Sequence, residues 1–302
     1  MYLKSNLCHG ADIRNERGCH TWYVTFTDIK MSKPPCLVHW AMDSQSNLRI
    51  SYDILNLIID QLGSELRYNE LKACSQTCQM LLHPCRVYLL STINLYYSNY
   101  AAQFSALVEK NPTIAEYVQE LYYSFSTIMN EDLANAFLRL NNLQTLKLYG
   151  QRPSDWNALL SPRMRHSLTQ LLRSPSLRSL SVYGFYLPAS ILSSCSTLKH
   201  LALSRSHIFP EACDNILTAP PQLLSLNLSD CVSGAIKGVY SMRRASGLPI
   251  LDLSNLRSLI SNMCGRNQLE DHLENILHST PKLNSLDFPG ILGYLYILYS
   301  HY

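Results

Sequence analysis

The feature that most constrains the fold is a recurring leucine spacing, Leu-x-x-Leu-x-Leu, in the later part of the 302-residue chain. Clear copies begin at Leu143, Leu198 and Leu223, and looser copies begin at positions 118, 177, 256 and 283. The first positions of successive copies are 25, 34, 21, 25, 33 and 27 residues apart. The last two positions of each copy are two residues apart, which places both on one face of a β-strand. The chain therefore repeats a short strand seven times.

This spacing is typical of leucine-rich repeats, which run about 20–29 residues. Four of the six steps fit that range, and the other two carry insertions. A copy beginning at Leu248 competes with the one at Leu256, because two copies of the repeat cannot begin only eight residues apart. The repeat consensus has Asn or Cys eight residues after its first leucine. Cys264 meets it after Leu256, as Cys231 does after Leu223. We therefore place this strand in the Leu256 register.

Helix-like segments separate the strands, at 131–140, 155–173, 188–195, 210–218 and 268–279. Strands and helices alternating at this period predict an α/β fold over residues 118–290. We expect a curved leucine-rich-repeat solenoid, with parallel strands on its concave side and helices outside. The leucines then face inward, and the residues between and just after them line the concave surface.

Three rows of side chains should line that surface. The first row is Thr145, Ser179, His200, Ser225, Ser258 and Ser285. The second is Lys147, Ser181, Ala202, Asn227, Ile260 and Asp287, and the third is Tyr149, Tyr183, Ser204, Ser229, Asn262 and Pro289. Small hydroxyls dominate and the surface is nearly neutral, whereas nucleic acid needs a basic stripe.

A protein or peptide is therefore the expected ligand of the concave face. The candidate target-binding residues are Lys147, Tyr149, Ser181, Tyr183, His200 and Asn227. Among them, Tyr149 and Tyr183 are the expected aromatic anchor, since buried tyrosines often dominate binding energy. The alternative is that all six are merely solvated strand residues.

A second feature is the helix predicted over residues 50–62. Its apolar side chains cover about 200° of a helical wheel, whereas a surface helix needs a stripe of only about 100°. They are Leu57, Ile54, Ile58, Leu62, Leu55 and Ile59. One face would serve the helix's own core, and something else must cover the second; the alternative is burial within one large domain. Ser51 is the expected N-cap of this helix, and Gly63 is expected to end it. Asp53 lies in the first turn, where a carboxylate interacts favourably with the positive end of the helix dipole.

Two more short helices are expected after it. One runs from about residue 69, with Leu71, Cys74, Cys78 and Leu81 on an apolar face that favours core packing over metal binding. Pro84 is expected to end that helix, and residues 86–95 should form a third helix running into a strand. Three short helices in about 45 residues make a domain too small to be stable alone. This favours a separate protein as the cover of the first helix.

The residues of this region resemble an F-box, in particular the fungal F-box proteins with leucine-rich tails. The resemblance lies in Ile50-Ser-Tyr-Asp-Ile-Leu-Asn-Leu-Ile-Ile-Asp-Gln-Leu62, Leu71-Lys-Ala-Cys-Ser-Gln-Thr-Cys78 and Arg86-Val-Tyr-Leu-Leu-Ser-Thr-Ile93. Ile50 stands for the family's first leucine and Asp53 for its acidic residue. Two departures are Ser51 in place of proline and Leu81 where tryptophan is common.

The resemblance implies that these helices dock on a Skp-type adaptor of a cullin–RING ubiquitin ligase. It assigns adaptor binding to Ile50, Ser51, Asp53, Ile54, Leu55, Ile58, Ile59 and Leu62. The expected function is that of a substrate-recognition subunit of an SCF-type ligase, with a target protein on the solenoid. The alternative is a leucine-rich scaffold whose F-box has degenerated and which has no ligase role.

Composition and motifs set the remaining expectations. A net charge of +3 without a run of five like charges does not indicate a nucleic-acid partner. The chain lacks an apolar run of about 18 residues, so no membrane span is expected. Its start does not resemble a signal peptide, and its 10 cysteines are typical of reduced thiols, so we expect cytoplasmic and/or nuclear localisation.

No catalytic, cofactor or metal role is expected. Gly-x-Ser-x-Gly and His-Glu-x-x-His are both absent. Cys8-His9, Cys19-His20 and the Cys36–His39 pair offer zinc-ligand types, but their spacing favours a poorly defined leader over a zinc site. We therefore expect a non-enzymatic monomer that works within a hetero-complex.

The predicted organisation has five parts. Residues 1–47 form the leader, 48–95 the F-box-like helical domain and 96–117 a connecting helix. Residues 118–290 form the solenoid, and 291–302 form an irregular tail.

Overall fold

The computed structural model describes residues 51–125, 131–156, 160–210, 219–229, 238–244, 246–262 and 275–287. Several predictions lie outside the described residues. They concern the leader and its Cys-His pairs, Ile50, the helix at 210–218, the first part of the helix at 268–279, Cys231, Cys264, Pro289 and the tail.

Three helices form a small unit at the start of the described chain: α1 (Tyr52–Ser64), α2 (Tyr68–Thr77) and α3 (Gln79–Leu89). Ser51 caps α1 as expected, because its hydroxyl accepts a hydrogen bond from the Ile54 backbone nitrogen at 3.4 Å. The unit has a core of its own, in which Ile59, Leu71, Leu81 and Cys85 are buried.

Gly63 does not end the first helix, contrary to the prediction. It lies inside α1, where an added Cβ would overlap the ring of Tyr88 on α3. The Tyr88 hydroxyl donates to Asp60 Oδ1 at 2.8 Å, which holds the ring over the glycine. The chain turns instead at Leu66, whose φ of 56° is in the left-handed region. Gly63 therefore serves close helix packing rather than the turn.

Pro84 does not break a helix either. It lies inside α3, and the break falls at Cys78, whose backbone is extended with φ −152° and ψ 156°. A proline removes one helical hydrogen bond but already has a helical φ. The prediction of a helix followed by a strand over residues 86–95 is correct in order, since α3 ends at Leu89 and a strand begins at Thr92.

The rest of the described chain builds one open α/β sheet whose paired strands are all parallel. Its nine strands are β1 (Thr92–Leu95), β2 (Glu120–Phe125), β3 (Thr145–Asp155), β4 (Ser179–Pro188), β5 (His200–Ser204), β6 (His207–Phe209), β7 (Ser225–Ser229), β8 (Ser258–Asn262) and β9 (Ser285–Asp287). The spatial order is β1-β2-β3-β4-β5-β7-β8-β9, and β6 pairs with the second part of β4.

The helices with both ends described beside the sheet are α4 (Ser98–Lys110), α5 (Ile114–Tyr117), α6 (Asp132–Phe137), α7 (Pro162–Leu172) and α8 (Ala189–Ser194). Residues 238–241 and 275–278 are also helical. The predicted connecting helix at 96–117 is thus two helices. The predicted helix at 155–173 is shorter than expected, because β3 continues to Asp155. Ser161 then caps α7 by accepting from the Met164 nitrogen at 3.3 Å.

The register of the sheet is the predicted one. Thr145, Ser179, His200, Ser225, Ser258 and Ser285 are aligned across β3, β4, β5, β7, β8 and β9. The Leu256 register is confirmed, since β8 begins at Ser258 and Leu256 and Leu259 are buried. The same rows continue backwards through Glu120 and Tyr122 of β2.

The sheet begins earlier in the chain than expected. β1 pairs with β2, and the large core that underlies the sheet begins at Leu90. The core of the helical unit ends at Leu89. The predicted helical domain of residues 48–95 therefore includes one strand that belongs to the sheet.

One side of the sheet is packed against the helices. The central leucines of neighbouring strands, which are at most 2% exposed, are Leu121, Leu146, Leu180, Leu201, Leu226 and Leu259. Midway along β3 and β4 the two backbones approach closely. A Cβ at Gly184 would lie 2.9 Å from the Gly150 carbonyl oxygen, and Gly184 has φ +71°.

Gly184→Ala should therefore lower the free energy of unfolding through both backbone strain and a clash. Gly247→Ala is the matched control, because its φ is +79° but nothing lies within 4 Å of an added Cβ. Strain alone costs about 1–2 kcal/mol. Denaturant unfolding should show a loss at Gly184 that exceeds the loss at Gly247 by about 1 kcal/mol or more. Equal losses would contradict the close approach of β3 and β4.

Candidate functional site

The outer face of α1 carries exposed apolar side chains. Ile54 is 51% exposed, Leu57 67% and Ile58 46%, and Tyr52 is also exposed. Spacings of three and four residues place Ile54, Leu57 and Ile58 side by side on a helix. We call these three residues the α1 patch. It leaves a contiguous apolar surface open to a partner.

The opposite face of α1 belongs to the core of the helical unit. Leu55 and Leu62 are partly buried and pack against that core, and Ile59 is 1% exposed. Ile59 was predicted to contact the adaptor, but its side chain is inaccessible to a partner and instead holds α1 on α2 and α3. Ser51 and Asp53 are exposed.

Leu57, the most exposed member of the α1 patch, was not among the predicted adaptor-binding residues. Its position in the wide apolar arc was the available signal. The resemblance drew attention to other positions, and the arc alone did not tell which of its apolar residues face outward.

The second candidate surface is the face of the sheet opposite the helices, which we call the open face. Of the predicted target-binding residues, Lys147 and Tyr149 lie on β3, Ser181 and Tyr183 on β4 and His200 on β5. These five are on adjacent strands, whereas Asn227 lies apart from the tyrosines on β7. His200 is exposed and the other five are partly buried.

Lys147 is bonded to neighbouring side chains of this surface. Its Nζ lies 2.8 Å from Glu120 Oε1, donates to Tyr122 Oη at 2.6 Å, and is 4.3 Å from the centre of the Tyr122 ring. Burial by itself would lower the pKa of Lys147, but the hydrogen bonds to Glu120 and Tyr122 together raise it. Lys147 is thus a charged link between β2 and β3 more than an available contact for a target.

Glu120 and Tyr122 were not among the predicted site residues. Burial raises the pKa of Tyr122, and the hydrogen bond from Lys147 opposes that shift. Both residues follow Val118 in one of the looser leucine copies. That copy was the signal from which their places in the rows could have been found.

Tyr149 and Tyr183 lie together, as the aligned rows require. Their ring centres are 6.3 Å apart with the planes tilted by 38°. The guanidinium carbon of Arg205, at the end of β5, lies 5.7 Å from the centre of the Tyr183 ring. This distance is within the range of a cation–π contact.

The backbone at Arg205 explains its place beside the tyrosine. Arg205 has φ +47°, a left-handed conformation that turns the chain after β5. The buried Ser206 hydroxyl lies 2.8 Å from the Ser204 carbonyl and 3.1 Å from that of Val182, and accepts from the Phe185 nitrogen. The turn that presents Arg205 is therefore tied to β4.

Cysteine chemistry does not define a site in the described part of the chain. Burial, with the nearby Cys74 and Cys78, raises the pKa of Cys85 to about 11, and burial raises that of Cys195 to about 12. Both thiols therefore stay protonated at neutral pH, and a protonated thiol is a poor nucleophile and metal ligand. Across the described ranges, no three His, Cys, Asp or Glu residues cluster in a way that could hold a metal ion.

Comparisons with known proteins do not assign the chain to a family. No protein-family model matches it, and no curated protein matches it either. Within the residues that the structure describes, no helix has both the length and the apolar character needed to span a membrane.

The Glu120–Lys147 ion pair should contribute measurably to stability. A double-mutant cycle of Glu120→Gln and Lys147→Gln should give a coupling of about 1 kcal/mol in urea unfolding, because both side chains are about 30% exposed. The more exposed Arg67–Glu70 pair is the control and should couple less. Folding raises the pKa of Lys147. The charged side chain should therefore stabilise the fold fully below the ordinary lysine pKa, and this stabilisation should be lost as the pH rises past the raised pKa. Equal coupling in the two pairs would contradict the account.

Proposed function

We propose that this chain is the substrate-recognition subunit of an SCF-type cullin–RING ubiquitin ligase. In this proposal the helical unit docks on a Skp-type adaptor through the α1 patch, and the sheet belongs to a leucine-rich-repeat solenoid that holds a target protein. The observation that carries the proposal is the exposure of Ile54, Leu57 and Ile58 on a helix whose other face already fills a separate small core.

The energetics support a partner for the α1 patch. Fully burying a leucine or isoleucine side chain contributes about 1.5–3 kcal/mol. These three side chains are each about half exposed or more, so covering them would contribute on the order of 2–5 kcal/mol. That is enough to anchor an interface, and the small core of the unit would gain stability from the same contact.

The sheet supports the second half of the proposal. Its aligned rows offer a continuous strip of small and aromatic side chains beside the helical unit. A target bound there would be held close to the ligase at a high effective concentration, so ubiquitin transfer would need no catalytic residue in this chain.

A second candidate is a leucine-rich scaffold without a ligase role. Two residues of the helical unit favour it. Ser51 stands where the F-box family has proline. Leu81, 8% exposed in the small core, stands where tryptophan is common and fills less volume.

Binding of the adaptor through the α1 patch distinguishes between these two functions. Ile54→Asp and Ile58→Asp should abolish capture of a purified Skp-type adaptor in a pull-down, since each places a charge in an interface that must be dry. Their thermal unfolding should remain close to that of the parent, because both side chains are exposed.

Leu138→Asp is the matched control. Leu138 is 46% exposed, like Ile58, but it caps the carboxyl end of α6, away from the helical unit. It should leave adaptor capture unchanged. If the patch variants bind the adaptor as well as the parent does, or if the parent does not bind it, the ligase function is wrong and the scaffold function remains.

A further inference from the structure

The amino-terminal ends of two central strands carry adjacent cations. Arg178 immediately precedes β4 and Lys199 immediately precedes β5, and the Lys199 nitrogen donates to the Arg178 carbonyl at 2.8 Å. Neighbouring strands are about 4.8 Å apart, so the backbones of the two residues lie side by side. Arg178 is exposed and Lys199 partly exposed. Both residues lie at the amino-terminal edge of the sheet, next to Ser179 and His200, the first open-face residues of β4 and β5.

These cations are not neutralised by their described neighbours. Arg178 Nη1 donates to the Thr197 carbonyl at 3.3 Å, which orients the guanidinium toward β5 without cancelling its charge. Neither Arg178 nor Lys199 forms an ion pair with a residue that the structure describes. His200, the first residue of β5, is exposed beside them.

Farther along the same strands, the open face carries tyrosines and a further cation. Tyr183 is five residues beyond Arg178 on β4, about 16 Å away along a strand, and it lies between Tyr149 and Arg205. Ser179 and Ser181 occupy the intervening open-face positions and leave room for a peptide backbone.

Carboxylates are scarce on this part of the surface. Among the described side chains in the three rows of β2 to β5, Glu120 is the one carboxylate, and its charge is balanced by Lys147. The other described carboxylate in these rows is at the far end of the sheet. Asp287 is on β9, and Asp252, whose backbone pairs with that of Gln222 before β7, accepts from the Ser254 nitrogen.

We propose that the open face over β3–β5 recognises an acidic, extended segment of the target. Its carboxylates would lie against Arg178 and Lys199, and an apolar or proline ring would pack on Tyr149 and Tyr183. The inference rests on the proposed role of the open face as the target site. Two adjacent cations, with a tyrosine pair farther along the same strands, suit a short extended peptide, whereas nucleic acid needs a longer basic track.

Peptide selection tests this ligand class directly. Phage-displayed random 12-residue peptides are selected on the purified full chain, and the enriched peptides should contain more Asp and Glu than the starting library. Enrichment without an acidic bias, or no enrichment over a blank surface, would overturn the inference.

Charge reversal then locates the acidic ligand. Arg178→Glu with Lys199→Glu should weaken a selected acidic peptide by about tenfold or more in fluorescence anisotropy, and should turn a fresh selection toward Lys and Arg. Lys199→Glu alone should lower affinity in the same direction; its side chain makes no hydrogen bond to a described residue, so folding should be unaffected. An acidic peptide that binds both variants like the parent would overturn the inference.

Arg257→Glu is the matched control, since Arg257 immediately precedes β8, nearer to Asp287. It should leave the affinity within about twofold. If Arg257→Glu lowers the affinity as much as Lys199→Glu does, the protein attracts anions in general and the inferred site is wrong. Displacement of the peptide by an equal concentration of a ten-nucleotide oligouridylate would lead to the same conclusion.

Adaptor capture by the same variants separates the two proposals. A chain that captures the adaptor without preferring acidic peptides contradicts this inference alone. A chain that prefers acidic peptides without capturing the adaptor contradicts the ligase function alone.

Discussion

The structure depends on one repeated packing contact, in which each parallel strand places its leucines against those of the next strand on the helix side of the sheet. Leu146, Leu180, Leu201 and Leu226 are at most 2% exposed and aligned in register. A shift of one residue in any strand would turn its leucines to the open face. The burial that stabilises the sheet therefore also fixes which side chains line the open face, and in what order.

The helical unit joins this sheet but keeps a separate core. His83 Nδ1 lies 2.8 Å from the Tyr117 hydroxyl, which links α3 to α5. Tyr68 of α2 is close enough to Glu120 that the charge of Glu120 adds to the effect of burial in raising the pKa of the phenol. Through these contacts the α1 patch is presented on a unit attached to the sheet, while Ile59 and Leu71 fill the core beneath it.

The sequence was most informative where burial decides the structure. The leucine spacing predicted the strands and their rows because every misplaced leucine would expose apolar area. It could not predict that Gly63 lies under Tyr88, since that contact joins residues 25 positions apart and depends on the helix crossing. Pro84 misled for a related reason, because the local rule against proline is weaker than the packing of Leu81 and Cys85 on either side of it.

The candidate site was predicted in part, and for the same physical reason. Tyr149 and Tyr183 were predicted to lie together because they occupy equivalent positions of the repeat. The bonds from Lys147 to Glu120 and Tyr122 depend instead on the conformations of long surface side chains, which the repeat does not specify. Ile59 and Leu57 are two residues apart on one apolar helix and face opposite ways. Periodicity shows that such a helix has two apolar faces, but it does not tell which of them packs into the domain's own core.

The proposed function requires the α1 patch to be a docking surface for a separate protein. Hydrogen–deuterium exchange of the full chain, alone and with a Skp-type adaptor, measures this directly. Docking through the α1 patch should slow exchange across Tyr52–Ser64 on mixing and, as the small core is stabilised, in α2 and α3 as well, with β3 to β5 unchanged. Unchanged exchange in α1, or protection confined to the sheet, would contradict it.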